Sequence, residues 1–314
     1  MTRYDNCRST RRAVLGTGII LGLASARTSV SAQAIASPEA SPDAGTGYAR
    51  PEMLVDTGWL RDHLDDPMLR VVALMPAETF GQGAMPGSVQ IDWPDLEVTD
   101  TSDALLAEWQ VAIEERLTKL GLTREQRIVV YDEGTLFAAR LWWVLHYLGH
   151  DGVHVLNGGL PAWTAAGNDV STDNPTPIAS ADPYQSTVQP DALAQVLDVE
   201  AAIDDPDTMI VDARTPDEYA AGHIPGAVNV NYPLNAEPET PKFWKPAEDL
   251  KRLYAEAGVT PDRRVIPYCS TGVRSAVTWF TLRLIGFDEV SLFSGSWAEW
   301  TLDPERPITT GDAP

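Results

Sequence analysis

The sequence predicts an α/β protein built from two copies of one domain, each a parallel β-sheet flanked by helices. Three observations carry that prediction. Residues 121–163 align with residues 258–300 without a gap, at a constant offset of 137. Within each copy a short β-rich run, a helical stretch and a second short apolar run follow one another, the order that builds parallel sheets. The period is too long for a solenoid, so a whole domain is duplicated.

The elements follow in chain order. Arg11-Arg12 precedes an apolar stretch from Ala13 to about Ala26, and small residues close it at Ala24-Ser25-Ala26 and Val30-Ser31-Ala32. This is the layout of an export signal over residues 1–32, with a charged region, an apolar region and a cleavage site. The arginine pair resembles a twin-arginine signal, which implies export to the periplasm or beyond. The stretch is short for a membrane span, and an uncleaved anchor is the alternative. Residues 33–48, rich in Ala, Ser, Pro and Gly, are expected to be a flexible tether.

The first domain is expected over residues 49–170. It holds strands at Val71–Leu74, Arg127–Tyr131 and Val153–Leu156, and a helix from Ala138 to Leu148 stopped by Gly149. Residues 171–191, polar and proline-rich, form the linker. The second domain, 192–314, repeats the plan. Its strands are Met209–Asp212, Arg264–Tyr268 and Val290–Phe293, and its helix runs from Ser275 to Ile285 before Gly286. Pro86-Gly87 matches Pro225-Gly226 at an offset of 139, so the copies differ by a short insertion. Trp142/Trp279 and Trp163/Trp300 match between copies and are expected in the core.

A net charge of −22 argues against nucleic acid as a partner, since a phosphate backbone needs a basic surface. Any anion site on so acidic a chain has to be locally positive. No apolar run of about 18 residues follows the N-terminus, so no stable membrane insertion is expected after signal cleavage. A monomer is expected.

There are two cysteines, Cys7 and Cys269, and Cys7 leaves with the signal. The remaining thiol has no internal disulfide partner. It is either a buried inert residue or a reactive one. Cys269 stands at the C-terminal end of a strand, the edge where open α/β sheets bind ligands. The loop Ser270-Thr271-Gly272-Val273-Arg274 then turns into a helix near Ser275. Backbone N–H groups in such a turn converge, the helix adds its positive end, and together they cradle an anion. Arg274 adds a permanent cation. Exposure, thiolate character and charge stabilisation are what a sulfur nucleophile needs.

The stretch Tyr-Cys-Ser-Thr-Gly-Val-Arg-Ser, residues 268–275, resembles the active loop of rhodaneses. Residues 212–219 (DARTPDEY) followed by 222–229 (GHIPGAVN) resemble the family's entry motif, and residues 295–300 (GSWAEW) its C-terminal motif. The chain is thereby similar, over roughly residues 50–305, to the tandem-domain rhodanese family of thiosulfate and 3-mercaptopyruvate sulfurtransferases. The resemblance implies two rhodanese-like domains, a silent first and a catalytic second. It implies a persulfide on Cys269, a small anionic sulfur donor, a cyanide or thiol acceptor, and no metal or organic cofactor. Substrate binding is expected from Arg274, Arg214 and the loop residues Ser270, Thr271, Gly272, Val273 and Ser275. The alternative for Arg274 is a loop salt bridge; for Arg214 it is a salt bridge to Glu218 or Asp217. Asp212 and His223 are expected to brace the fold.

In the first copy Asp132 replaces Cys269 and Phe137 replaces Arg274. A carboxylate carries no sulfane sulfur, and Asp132 is expected to cap its own loop. The mercaptopyruvate enzymes typically carry a Gly-Ser-Gly-Val loop without a cation, so the charged loop here leans toward thiosulfate. Rhodanese-related phosphatases have a loop one residue longer, and a non-catalytic sulfur-binding module is the further alternative. Lys242 and Lys245, flanking Trp244, are expected on a solvated loop. His146, His150 and His154 are four apart, yet Gly149 and a strand separate them, so their spacing is expected to be coincidence rather than a metal site.

Overall fold

A computed structural model describes residues 47–174 and 176–314. The expected export signal and the tether up to residue 46 lie outside the described residues. The first copy runs β1 (Leu54–Val55), α1 (Thr57–His63), β2 (Leu69–Leu74), α2 (Ala77–Gln82), β3 (Val89–Ile91), α3 (Asp103–Lys119), β4 (Arg127–Tyr131), α4 (Ala138–Tyr147), β5 (Val153–Leu156) and α5 (Gly159–Ala165). The second runs β6 (Leu193–Ala194), α6 (Val196–Ala202), β7 (Thr208–Asp212), α7 (Pro216–Ala221), β8 (Val228–Asn229), α8 (Ala247–Glu256), β9 (Arg264–Tyr268), α9 (Val273–Leu284), β10 (Leu292–Phe293) and α10 (Ser296–Trp300).

The first sheet has the order β1-β5-β4-β2-β3, and every pairing is parallel. The second keeps the same order in two pieces, β6-β10 and β9-β7-β8, joined by a parallel bridge between Val265 and Val290. Helices cover both faces, so β4 and β9 are apolar almost throughout rather than alternating.

The duplication extends to single hydrogen bonds. Trp142 Nε1 donates to Val153 O at 2.9 Å and Trp279 Nε1 to Val290 O at 2.8 Å. Met85 N donates to the Tyr131 hydroxyl at 3.1 Å, and Ile224 N to the Tyr268 hydroxyl at 3.2 Å. Helices α4 and α9 end alike. Gly149 and Gly286 have positive φ, their amides reach His146 O and Arg283 O, and the next amides reach Leu145 O and Leu282 O. That closure satisfies carbonyls the helix leaves open and needs a residue tolerant of the left-handed region.

The copies meet through these two helices. Trp142 lies 5.6 Å from Trp279 and 5.3 Å from Phe280, edge-on to the latter. Each such aromatic pair adds about 1 kcal/mol beyond the area it buries. One apolar cluster therefore includes Trp142 and Val144 together with Trp279 and Phe280.

The end of the expected tether and the expected linker are both anchored. Tyr48, at the end of the expected tether, is buried and its hydroxyl donates to Trp244 O and Lys245 O, while Ala49 N donates to Leu284 O. The linker is laced onto the first copy by Ser180 N to Thr118 O, Thr187 N to Leu148 O, and the buried ring of Tyr184. Among the described residues no helix is long and apolar enough to cross a membrane.

Candidate active site

Cys269 follows β9, and its loop is clamped from two sides. Cys269 N donates to Ser296 Oγ at 3.1 Å, while Trp297 N and Ala298 N, at the start of α10, donate to the carbonyls of Cys269 and Ser270. On the inner side, Gly272 N donates to Cys269 Sγ at 3.2 Å, and the Ser275 hydroxyl stands 3.5 Å from the same sulfur. Gly272 has φ +85°, and a Cβ there would stand 2.5 Å from Ser294 O. Only glycine fits both the torsion and the space. Taking the turn at Gly272 starts α9 at Val273, two residues ahead of the expected Ser275.

Cys269 is 1% exposed, where an exposed nucleophile was expected. The loop wraps it, leaving Ser270, Thr271 and Arg274 partly exposed and Gly272, Val273 and Ser275 buried. Tyr232, from the 3-10 turn Tyr232–Asn235, stands close enough for the charges of Cys269 and Arg274 to act on its hydroxyl, whose pKa burial raises. Its ring packs 5.9 Å from Phe137 of the first copy.

Arg274 is held in a fork. Its Nη1 and Nη2 each meet a Glu218 oxygen at 2.8 Å, and Nη2 also reaches Ser270 Oγ at 2.5 Å. Glu218 is set by its own helix, for Thr215 and Glu218 form the capping box that starts α7. The bonds from Arg274 draw the Glu218 carboxyl down to about 2.

Arg214 is placed elsewhere than expected. It is buried, its Nε and Nη2 bind both oxygens of Asp212, Nη2 donates to Gly222 O, and its guanidinium lies over the rings of Trp297 and Tyr268. Asp212 in turn accepts from the Tyr268 hydroxyl at 2.6 Å. Arg214 thus braces the strand that leads to Cys269. The carboxylate it takes is Asp212; Glu218, one of the two anticipated for it, goes to Arg274. His223 stacks on Tyr219 and bonds Tyr219 O and Ala313 O, which braces the same corner.

A third arginine enters from the first copy. Arg140 of α4 is fully buried; its Nη1 donates to Ser294 Oγ at 3.0 Å and lies 3.5 Å from Gly272 O, and Nη2 donates to Leu96 O at 2.5 Å. Sequence reading missed it. The signal was there: its counterpart in the repeat is Val277, so a charge replaces an aliphatic residue inside an otherwise apolar helix.

The rhodanese-like domain model matches residues 56–166 and again 195–303. The chain belongs to the rhodanese-like family. This rhodanese-like chain is 34% identical over 286 residues to a thiosulfate sulfurtransferase of Corynebacterium glutamicum, covering 84% of this chain and 93% of the relative. It is 32% identical to the sulfur carrier protein TtuD of Thermus thermophilus, covering 85% and 99%. A Pseudomonas aeruginosa relative named "Probable 3-mercaptopyruvate sulfurtransferase" is 37% identical over 210 residues, covering 63% and 72%. The anaerobic ergothioneine biosynthesis enzyme of Chlorobium limicola shares the fold, with a TM-score of 0.73 and 21% identity, over 84% of this chain and 71% of that one. The protein is an enzyme, a rhodanese-type sulfurtransferase.

The first rhodanese-like copy has the same loop with a carboxyl group built in. Asp132 Oδ1 accepts from Gly134 N at 2.7 Å and Thr135 N at 3.0 Å, and Oδ2 from Ala138 N at 2.8 Å. Burial raises its pKa, while the amides of Ala138, Gly134, Thr135 and Leu136 pull the other way. Thr135 is the repeat counterpart of Gly272, so one amide position serves a carboxylate in the first copy and the sulfur in the second.

The remaining candidates do not join the site. His150 bonds Tyr184 and Gln126, His154 bonds Glu52 O, and His146 stacks on Trp142, so the three rings have separate partners. Trp244, between Lys242 and Lys245, is buried; its amide donates to Asn157 and its ring to Thr281.

Proposed function

We propose that the protein moves sulfane sulfur from thiosulfate to a thiophilic acceptor, cyanide or a thiol, through a persulfide on Cys269. Cys269 thiolate attacks the outer sulfur of the donor. A new S–S bond forms to Sγ as the donor's own S–S bond breaks, and sulfite leaves with the electron pair. Cyanide or a thiolate then attacks the outer sulfur of the persulfide, and Cys269 departs as thiolate. No net oxidant or reductant is consumed, and the kinetics are ping-pong.

The observation that carries this reading is the Gly272 amide aimed at Cys269 Sγ from the position that binds a carboxylate in the first copy. A persulfide adds one sulfur and keeps the negative charge, which the Gly272 amide and the Ser275 hydroxyl favour. Arg274 meets the oxyanion end of the donor. Arg214 supports the site from behind through Asp212 and Tyr268. The relative named for thiosulfate and the cation at Arg274 both support thiosulfate as donor. The relative named for 3-mercaptopyruvate supports that compound as the second reading. There Cys269 takes the sulfur as the C–S bond breaks, and the resulting enolate is protonated to pyruvate.

The test is Cys269→Ser in the full chain. Expected are an unchanged circular-dichroism spectrum and no transfer from either donor to cyanide; transfer by the serine variant ends the proposal. The ratio of kcat/KM for the two donors decides between them. We also propose that residues 1–32 direct export by the twin-arginine route; cell fractionation of Arg11→Lys/Arg12→Lys, expected to stay in the cytoplasm, checks this.

A further inference from the structure

Arg140 is buried without a counter-ion. Among the described residues no carboxylate lies within salt-bridge distance of it, and its Nε has no hydrogen-bond partner. Its guanidinium sits 4.8 Å over the ring of Trp143 and otherwise meets Leu96 O, Ser294 Oγ and Gly272 O. A buried charge held only by neutral groups is costly. The negative group that bears on it first is Cys269: burial lowers the Arg140 pKa to about 10, and the cysteine's charge opposes that fall, ahead of Glu97.

We propose that Arg140 is a positioning residue for sulfur transfer, supplied by the silent copy. It fixes the Gly272–Ser294 side of the sulfur loop and acts as the buried counter-charge to the anionic sulfur of Cys269. This rests on the reading of Cys269 as the sulfur carrier.

The other groups facing the sulfur fill that role less completely. Arg274, at the start of α9, also acts on the charge of Cys269, but it is forked onto Glu218 of α7, which offsets its own charge. Tyr232 and Ser275 are neutral, and Asp132 faces Tyr232 from the first copy. Among the described residues Arg140 forms no ion pair, and the charge of Glu97 acts on it only behind that of Cys269. Its place in the first copy explains why an α4 without a catalytic loop of its own keeps an arginine at a position that holds Val277 in the second copy. A plain interface arginine is satisfied by any polar partner, whereas a counter-charge alters the chemistry of the thiol.

The experiment measures the rate of Cys269 alkylation by iodoacetamide against pH in the full-length protein, for the native chain, Arg140→Met and Arg140→Lys. Thiosulfate-to-cyanide transfer and persulfide mass are recorded in parallel. Met is expected to displace the alkylation profile upward by roughly one pH unit and to slow transfer about tenfold. Lys keeps the charge but loses the fork. Its profile is expected to stay within a few tenths of native while transfer slows several-fold. A folded Met variant with the native profile overturns the proposal. Should Met fail to fold, the Lys variant decides: a profile displaced by a full unit despite the retained charge overturns it. Absence of a persulfide in the native chain refutes the sulfur-carrier reading instead, and the alkylation profiles still report on Arg140.

Discussion

Replacing Glu218 by Gln removes the carboxylate that occupies Arg274 and keeps the shape of the side chain. The carboxyl is drawn from 4.5 to about 2. At about 1.4 kcal/mol per pKa unit this bounds its coupling to the folded state near 3 kcal/mol. The Glu218 side chain is 37% exposed, so solvent screening brings the contribution to about 1 kcal/mol. Urea denaturation at pH 7 is therefore expected to show Glu218→Gln less stable by that amount. The native carboxyl titrates below its unfolded value, so its contribution is complete above about pH 4.5 and fades as pH falls toward 2; the difference between variant and native should vanish over the same interval. For turnover the sign reverses. A donor anion has to share Arg274 with Glu218, and removing the competing charge should lower the KM for thiosulfate about fivefold, the equivalent of roughly 1 kcal/mol. A KM that rises or stays at the native value, with stability reduced as expected, shows that the donor does not engage Arg274.

Gly272→Ala forces a side chain to within 2.5 Å of Ser294 O at a positive φ; expected are a loss of about 2 kcal/mol or more by chemical denaturation and a sulfur-transfer rate near background. His146 is half-buried at the seam, and desolvation, with Arg283 beside it, lowers its pKa from 6.5 to about 4. Its neutral form supports the fold above pH 6.5, and that support is lost as pH falls through 4, so His146→Phe should flatten the decline in stability over that range by up to about 3 kcal/mol, read from denaturation midpoints at several pH values.

Much of the fold was legible because the chain states it twice. The limits of β4, β5 and β9 follow from compact β-branched and aromatic runs, and the ends of α4 and α9 from a glycine the helix closure requires. Helix α3 went unread because its charged residues outweigh a sparse apolar stripe of Leu106, Ile113 and Leu117. At the site, Cys269 and its loop were legible from local order: strand, cysteine, glycine, helix. Partnerships between side chains were not. Arg214 and Arg274 each had several nearby carboxylates, and which one each took depended on a capping box at Thr215 and on the end of β7. Arg140 reaches its partners across 132 and 154 residues, a separation that local pattern does not register.

The anchoring of Tyr48 and Ala49 has a consequence for biosynthesis. Their partners are Trp244, Lys245 and Leu284, so the first described residues settle only once nearly the whole chain has been made. The polypeptide closes on itself like a clasp. Cut short on the ribosome, it would leave the opening segment and the tryptophan-lined flank of the first half uncovered, a product that proteases and chaperones readily distinguish from the finished one.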